Sequence, residues 1–369
     1  MNIDRAETQF GAEVDTYADC VYEKARELLR QRMGDGTFVR EEKPCYYIYA
    51  LTMNGRTQTG IVGCSSIDDY VSSIIKKHEN TRADKEVDRI CHVDTCSAQT
   101  GPIFLTYRDS EAIRVIVEAE TKKVPLYDFV SEDGIRHRVW CISEENQIVG
   151  LYEALDQLPA TYIADGHHRA ASAVKVGFKR REANPNHNGT EQYNFFLSVL
   201  FPDSQLMIMP YHRVVKDLND MTVEAFLEAI AEPFVVQEMG TIPWQPEEKG
   251  TFGMFLENMW YKLTAKSEIL STDPVKGLDV SILQAYLLKP ILGIVDPRID
   301  KRIEFVGGIR GIGELERRVH TDMKVAFSMY PTSIGELLAV ADAGMLMPPK
   351  STWFEPKLRS GIFIHEIEK

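Results

Sequence analysis

Residues 159–178 read PATYIADGHHRAASAVKVGF, and this stretch predicts a strand, a tight turn and a helix in succession. The β-rich run ends at Ala164, Gly166 falls at the turn, and the alanine-rich segment that follows has helical character to about Gly177. A glycine at such a turn lets the backbone approach a ligand, and the first N–H groups of the helix point out of its end. The stretch therefore predicts an anion site at a strand-to-helix turn.

The side chains of the turn favour the same interpretation. His167, His168 and Arg169 add donors, and a guanidinium can bind two phosphate oxygens at once. Asp165 could instead serve only as the N-cap, accepting from the backbone N–H of His167 or His168. Capping alone does not require three basic residues in a first turn, where the helix dipole disfavours cations, so an anionic partner is expected. Adjacent histidines point about 100° apart on a helix, so one is expected to face the site and the other to pack in the core.

A second group of candidate residues lies at 76–94, KKHENTRADKEVDRICHVD. A helix is expected over residues 83–95, with Ala83, Val87 and Ile90 as its buried stripe. Four basic residues at helical spacing are expected to form a ridge on a different face and to bind phosphate: Arg82, Lys85, Arg89 and His92.

Three polar residues directly precede that helix. His78, Glu79 and Thr81 would present an imidazole, a carboxylate and a hydroxyl beside the basic ridge. The alternative is a solvated face, whose charges are balanced by local ion pairs with Glu86 and Asp88. The sequence leaves both interpretations open. Polar residues beside apolar segments add second-tier candidates: His78, His212, Arg213 and Lys350.

The order of predicted elements indicates an α+β fold, with a mixed sheet and flanking helices. We expect an N-terminal helical segment over residues 1–44, a core domain over 45–216 that carries the turn, and a C-terminal α/β subdomain over 217–369. Asn54-Gly55 between two β-rich runs predicts a hairpin, and residues 181–192 are expected to form an exposed loop. Ser333-x-x-Glu336 predicts a capping box at the start of a late helix.

Composition excludes several functional classes. With 55 acidic and 42 basic residues, the net charge of −13 disfavours binding to nucleic acid, because phosphate backbones are repelled. No stretch approaches the ~20 apolar residues that span a bilayer, and the polar first residues do not resemble a signal peptide. We therefore expect a cytoplasmic protein without membrane contact.

Cysteine usage fits a reducing compartment. The six cysteines are scattered over 369 residues without a C-x-x-C pair. Cys91-His92-x3-Cys96 resembles half of a zinc site but lacks a matching second half, so no residues are assigned to a metal. No P-loop, H-E-x-x-H, G-x-S-x-G or protein-kinase signature occurs either.

Several motifs together resemble one family. These are IIKKHENTRADKEVDR, GPIFLTYR, YIADGHHRAASA, NFFLSVLFPD, MPYHRV, ILGIVDPRID, FVGGIRG and MPPKSTWFEPKL, in that order. In these motifs the chain resembles the domain of unknown function 1015 family (DUF1015), from about residue 40 to the C-terminus. Members usually open with a further stretch that contains a Pro-Pro-Tyr-Asp-Val-like motif. The resemblance therefore implies an N-terminally short version of the family.

The Asp-Gly-His-His-Arg turn is also similar to the Asp-Gly-His-Thr-Arg turn of free serine kinases, which belong to the ParB/sulfiredoxin superfamily. That resemblance implies a ParB/sulfiredoxin-like core in which residues 166–169 bind nucleotide phosphates and His78-Glu79 supplies the base for a serine hydroxyl. The candidate residues for catalysis are Glu79, Asp165 and His168. Those for binding of phosphate or nucleotide are Gly166, His167, His168 and Arg169.

Two functional hypotheses follow. The first is a nucleotide-dependent phosphotransferase that acts on a small hydroxyl metabolite, free L-serine being the first to test, with ADP or ATP and Mg²⁺ implied by resemblance. The second is a ParB-like regulatory protein that binds CTP or a similar nucleotide without turnover. An inactive scaffold is a third possibility. The expected partners are a nucleotide and a small-molecule substrate, and the oligomeric state stays open.

Overall fold

The computed structural model describes residues 2–81 and 83–368, without the side chains of residues 83–85. The chain divides into two compact units, Met1–Leu206 together with Pro356–Lys369, and Met207–Glu355. The first unit thus includes the C-terminal residues. The division into residues 1–44, 45–216 and 217–369 stays a prediction about domains.

The helices begin and end as follows: α1 Asp19–Gly34, α2 Ile67–Val71, α3 Ala83–Cys96, α4 Glu111–Glu120, α5 Glu145–Asp156, α6 His167–Ala183, α7 Val223–Ile230, α8 Asp279–Leu283, α9 Gly313–Thr321 and α10 Ile334–Asp342. The capping box predicted at Ser333 and Glu336 is present at the start of α10. None of the helices over the described residues has both the length and the apolar character that a membrane span requires.

The strands have these bounds: β1 Tyr46–Met53, β2 Arg56–Ser66, β3 Ile75–Lys76, β4 Ala98–Gln99, β5 Ile103–Tyr107, β6 Tyr127–Val130, β7 Arg136–Ile142, β8 Thr161–Asp165, β9 Phe195–Pro202, β10 Ile208–Met209, β11 Tyr211–Val215, β12 Phe234–Gly240, β13 Thr251–Leu256, β14 Met259–Ala265, β15 Ile303–Gly307, β16 Val325–Met329, β17 Trp353–Phe354 and β18 His365–Glu366. The predicted hairpin joins β1 and β2. Asn54 and Gly55 both have positive φ there, 51° and 78°, as a type I′ turn requires.

The first unit is built on a mixed sheet, which confirms the α+β class. Its described strands lie in the order β3-β8-β5-β9-β2-β1-β7-β6. β3 runs parallel to β8 and β5 parallel to β9, whereas the other pairs are antiparallel. Because β3 and β8 are parallel neighbours, the chain leaves both strands at the same edge of the sheet.

The core of the first unit lies between this sheet and its helices. Ile163 of β8 is fully buried there, as are Leu105 of β5 and Phe196 of β9. Helix α6 contributes Ala170 and Ala173, whose small side chains let the helix approach the sheet closely. This packing fixes the start of α6 at the end of β8.

Helix α6 is longer than the sequence pattern indicated. The predicted end of the helix near Gly177 is wrong, because α6 continues to Ala183. The predicted loop over residues 181–192 therefore begins too early. A Cβ at Gly177 would clash with the carbonyl oxygen of Tyr193 and with the side chain of Ile67. Gly177 therefore permits a close tertiary contact inside the helix and does not end it.

The second unit carries a separate sheet in the order β12-β14-β13-β16-β11-β15 over its described strands. All of these pairs are antiparallel. The predicted α/β arrangement is therefore wrong for this unit, which is α+β, because its strands pair through hairpins and antiparallel returns and not through parallel crossovers. Strand β16 and helix α9 were not predicted from the sequence.

Candidate functional site

The start of α6 has the backbone geometry that the sequence predicted. Gly166 adopts the left-handed conformation with φ 96°, and the helix begins at His167 without a side-chain cap. Asp165 accepts a hydrogen bond at Oδ1 from the backbone N of Gly166, at 2.8 Å. The alternative in which Asp165 caps His167 or His168 is therefore wrong. The first N–H groups of α6 are left without a capping side chain, which is the arrangement that binds anions.

The second oxygen of Asp165 binds a residue that the sequence did not single out. Lys357 Nζ lies 2.8 Å from Asp165 Oδ2. Both side chains are about half exposed. Lys357 thus brings an ammonium group to the turn, from within the FEPKL motif near the C-terminus. The sequence had instead suggested Lys350, seven positions earlier, which belongs to the second unit.

The structure brings Glu79 to the turn. The segment that contains Glu79 leaves β3 at the same sheet edge at which β8 ends, and Glu79 Oε2 lies 3.9 Å from His167 Nδ1. His78 is fully buried, and its ring meets that of His167 edge to face, with centroids 4.5 Å apart. Residues 86 or more positions apart in the sequence therefore share one site.

His78 and His167 are both neutral at neutral pH. Burial, together with the charges of His168 and Lys77, lowers the pKa of His167 to about 3. Burial also holds the pKa of His78 well below its usual range, although Asp165 and the backbone of Ile163 act in the opposite direction. The Nε2 atom of His167 is buried without a hydrogen-bond partner among the described residues. A neutral imidazole can donate one hydrogen bond and accept another, so this pair can meet a polar ligand without adding charge.

Arg169 faces a small cavity. The cavity has a volume of about 30 Å³, room for roughly one water molecule, and its lining includes Asp4, Arg89, His92 and Arg169. A Cβ at Gly101 would overlap the Arg169 guanidinium, so that side chain would have to move if the glycine were replaced. Within residues 2–81 and 83–368, no hydrogen bond or ion pair to a protein group engages this guanidinium. Its N–H donors are therefore available to a ligand or to water.

Asp4 is a further residue that sequence reasoning missed. Burial raises the pKa of its carboxyl. Hydrogen bonds from Ser360 and Thr100 and the charge of Arg169 lower the pKa by more than burial raises it, so the net shift is downward. The preceding residue, Ile3, is fully buried, and its carbonyl oxygen lies 3.1 Å from His92 Nε2. The N-terminal segment thus places one carboxylate near Arg169. No local sequence pattern indicates such a contact.

Helix α3 is present, but its buried face differs from the prediction. Val87 is 59% exposed, whereas Glu86 is buried and its carboxylate binds Lys175 and Thr81. The predicted stripe is wrong at Val87, because a carboxylate paired with an ammonium and a hydroxyl is buried beside it. It is confirmed at Ile90, which packs against a buried cluster with Val176, and the side chain of Ala83 lies outside the described residues. Burial raises the pKa of Glu86, but the hydrogen bonds from Lys175 and Thr81 and the charges of Lys175 and His168 outweigh it, so the pKa is lowered.

Two of the four residues of the predicted basic ridge lie at the site. Arg89 and His92 line the cavity together with Arg169. His92 itself is buried, and burial lowers its pKa. Arg82 and the side chain of Lys85 lie outside the described residues, so their part in the ridge stays a prediction.

The remaining second-tier residues belong to the second unit. His212 is buried and accepts a hydrogen bond at Nδ1 from the backbone N of Met329, at 3.1 Å. Arg213 is buried and donates to the carbonyl oxygens of Tyr211 and Lys350. Burial lowers the pKa of Arg213 to about 9. Both side chains thus bind the protein's own backbone and stabilise the strands and loops around them.

Most of the chain, including the turn at the start of α6, matches a known family. A family model described as protein of unknown function (DUF1015) matches residues 1–281. The chain belongs to this family. The DUF1015 match begins before residue 40, where the resemblance was expected to start, and it ends before the motifs at residues 291–300, 305–311 and 347–358. Among curated proteins, no match to the chain was found.

Solved structures similar to this DUF1015 protein include free serine kinase. A variant of that enzyme in complex with AMP is 14% identical and has a TM-score of 0.41, over 81% of this chain and 91% of the other. A conserved hypothetical protein from Pyrococcus furiosus is 16% identical, with a TM-score of 0.38, over 81% and 93%. SbnI from Staphylococcus aureus, with a C-terminal truncation, is 11% identical, with a TM-score of 0.42, over 81% and 85%. All three are distant in both sequence and fold.

Proposed function

We propose that this DUF1015 protein transfers a phosphoryl group from a nucleotide to the hydroxyl group of a small metabolite, with free L-serine as the first acceptor to test. The observation that carries the proposal is the start of α6, where N–H groups without a side-chain cap lie beside both Glu79 and Arg169. In this proposal the first unit has a ParB/sulfiredoxin-like core. The motif likeness of its turn to that of free serine kinases supports the choice of acceptor.

The phosphates of the nucleotide bind at the start of α6. The backbone at Gly166 can approach a phosphate closely, and the N–H groups of the first helical turn donate to its oxygens. Arg169 adds a guanidinium whose donors have no protein acceptor among the described residues, and Lys357 adds a point charge. Phosphoryl transfer depends mainly on such positioning and charge stabilisation, and little on covalent chemistry from the protein.

Glu79 acts as the base that accepts the proton of the acceptor hydroxyl. Its carboxylate is partly buried and lies 3.9 Å from His167 Nδ1, a distance too long for a hydrogen bond but short enough for the ring to limit its orientation. Because His167 is neutral, it does not neutralise the carboxylate as an ion-pair partner would. A carboxylate in this position lies within reach of a hydroxyl bound beside the phosphate site and can act as its base.

Asp165 fits the needs of a magnesium ion. Mg²⁺ is usually held by one or two carboxylates together with phosphate oxygens and waters, and it neutralises charge on the phosphates. Each oxygen of Asp165 accepts one hydrogen bond, from Gly166 N and from Lys357 Nζ, and each has a second lone pair. His168, beside the phosphate site and near Glu86, is assigned to binding and orientation of the transferred group.

We expect serine-dependent conversion of a nucleotide. The full chain is incubated with Mg²⁺, ATP or ADP, and L-serine, and products are followed by phosphorus NMR. The expected result is a phosphoester signal that appears with L-serine and is absent with L-alanine, which has the same backbone but no hydroxyl group. Tight nucleotide binding without conversion, across a panel of small hydroxyl metabolites, would refute the enzyme and favour the nucleotide sensor.

A further inference from the structure

A cluster of two thiols and a carboxylate lies on the first unit, formed by Glu41, Cys45 and Cys141. Their potential ligand atoms all lie within 4.8 Å of one another. Cys45 directly precedes β1, and Cys141 lies on the adjacent antiparallel strand β7, where it pairs with Tyr47. Because side chains alternate along a strand, Cys45, Tyr47 and Cys141 point to one face of the sheet. Glu41 reaches the same face from the preceding segment.

The neighbouring contacts hold this cluster in place. The hydroxyl of Tyr47 donates to Glu41 Oε1 at 2.8 Å, and the ring of Tyr47 packs against Phe363 with centroids 5.2 Å apart. Cys45 and Cys141 are both partly buried, and the six cysteines, which all lie in the described part of the chain, are free thiols. A hydrogen bond from a neighbouring side chain to a carboxylate is how metal sites commonly orient an acidic ligand.

The cluster contains only groups that become negative when they lose a proton, one carboxyl and two thiols. Two thiolates and a carboxylate would place three negative charges within 4.8 Å of one another. A bound divalent cation offsets that repulsion directly, since a thiol that binds a metal ion loses its proton.

We propose that Glu41, Cys45 and Cys141 bind a thiophilic divalent cation, and that Zn²⁺ matches this set of donors best. Thiolates select zinc over Mg²⁺ and Ca²⁺, which prefer sites made only of oxygen ligands. Three protein ligands leave a fourth tetrahedral position for water. This inference does not depend on the proposed phosphotransfer, because none of its residues belongs to that site.

The geometry requires only small movements. With Zn–S bonds of about 2.3 Å, two sulfurs of a tetrahedral site lie about 3.8 Å apart. The ligand atoms lie within 4.8 Å of one another, so the two sulfurs have to approach by at most about 1 Å, which rotation of the side chains can supply. The alternative half-site at Cys91-His92-x3-Cys96 is less suited, because His92 Nε2 already lies 3.1 Å from the carbonyl oxygen of Ile3 and Cys96 is buried.

Zinc binding is tested on the full chain by titration. Zn²⁺ is added to reduced, metal-free protein in competition with a chromophoric chelator, and Co²⁺ is used as a spectroscopic probe for thiolate ligands. We expect one bound ion, release of about two protons for the two thiols, and a thiolate-to-cobalt charge-transfer band. Cys45→Ser and Cys141→Ser should each weaken Zn²⁺ binding by at least about 100-fold, and Tyr47→Phe by about 10–100-fold, as loss of an orienting hydrogen bond does elsewhere.

Matched variants separate this cluster from other zinc sites. Cys20→Ser removes an exposed thiol and Glu42→Gln an exposed carboxylate next to Glu41, and both should bind Zn²⁺ as the parent does. Circular dichroism of every variant confirms that the fold is retained. Parent-like Zn²⁺ affinity in Cys141→Ser, loss of binding in Cys91→Ser with Cys141 intact, or a Cys45–Cys141 disulfide that forms in place of the zinc complex would each overturn the assignment.

Discussion

Replacement of Glu79 by Gln is expected to lower turnover by about 10²–10⁴-fold, the range that loss of a positioned general base costs. Glutamine has nearly the same shape as glutamate but cannot accept a proton from the acceptor hydroxyl. Nucleotide affinity should stay nearly unchanged, since the phosphates bind at the start of α6 and at Arg169. Steady-state rates and calorimetric affinities of the same protein preparation measure the two quantities separately.

A second carboxylate provides the control for Glu79. Glu118→Gln changes an exposed residue of α4 in the same way and should leave both rate and affinity unchanged. If Glu79→Gln turns over as fast as the parent, Glu79 is not the base. Asp165, which lies beside the same turn, then becomes the carboxylate to replace.

The Arg169→Ala variant is expected to bind nucleotide about 10–150-fold more weakly. This factor corresponds to ~1.5–3 kcal/mol, the range for hydrogen bonds to a charged group. The fold should be preserved, because the Arg169 side chain makes no hydrogen bond to a protein group among the described residues. Isothermal calorimetry with ADP measures the loss of affinity, and circular dichroism checks the fold.

Arg114→Ala is a suitable control for that measurement. Arg114 is an exposed arginine of α4 that pairs with Asp109 at 3.1 Å, so its loss removes the same charge elsewhere on the first unit. Parent-like ADP affinity in Arg169→Ala would remove this guanidinium from the site. Equal weakening in Arg114→Ala would show that only the net charge matters.

The parts of the fold that local chemistry determines could be predicted from the sequence. Asn54-Gly55 encodes a turn with positive φ, Gly166 allows the strand-to-helix turn, and Ser333 caps its own helix through Glu336. Each of these signals lies within a few residues of the structure that it specifies. The end of α6 could not be predicted in this way, because Gly177 is used for contact with residues far along the chain.

The candidate site was predicted only in part for a similar reason. The turn at Asp165 and the His78-Glu79 segment carry local signals, but the residues that complete the site arrive from both ends of the sequence. Lys357 binds Asp165 and Asp4 lies near Arg169, and neither contact leaves a trace in sequence spacing. The buried Glu86 contradicts a pattern based on hydrophobicity alone, since its charge is satisfied by Lys175.

A crystal structure of the full chain soaked with ADP and Mg²⁺ tests the central claim most directly. The account predicts phosphate oxygens within hydrogen-bond distance of the first backbone N–H groups of α6 and of the Arg169 guanidinium, with the Glu79 carboxylate facing the same space. ADP bound elsewhere on the protein, with the start of α6 in contact only with water, would contradict it.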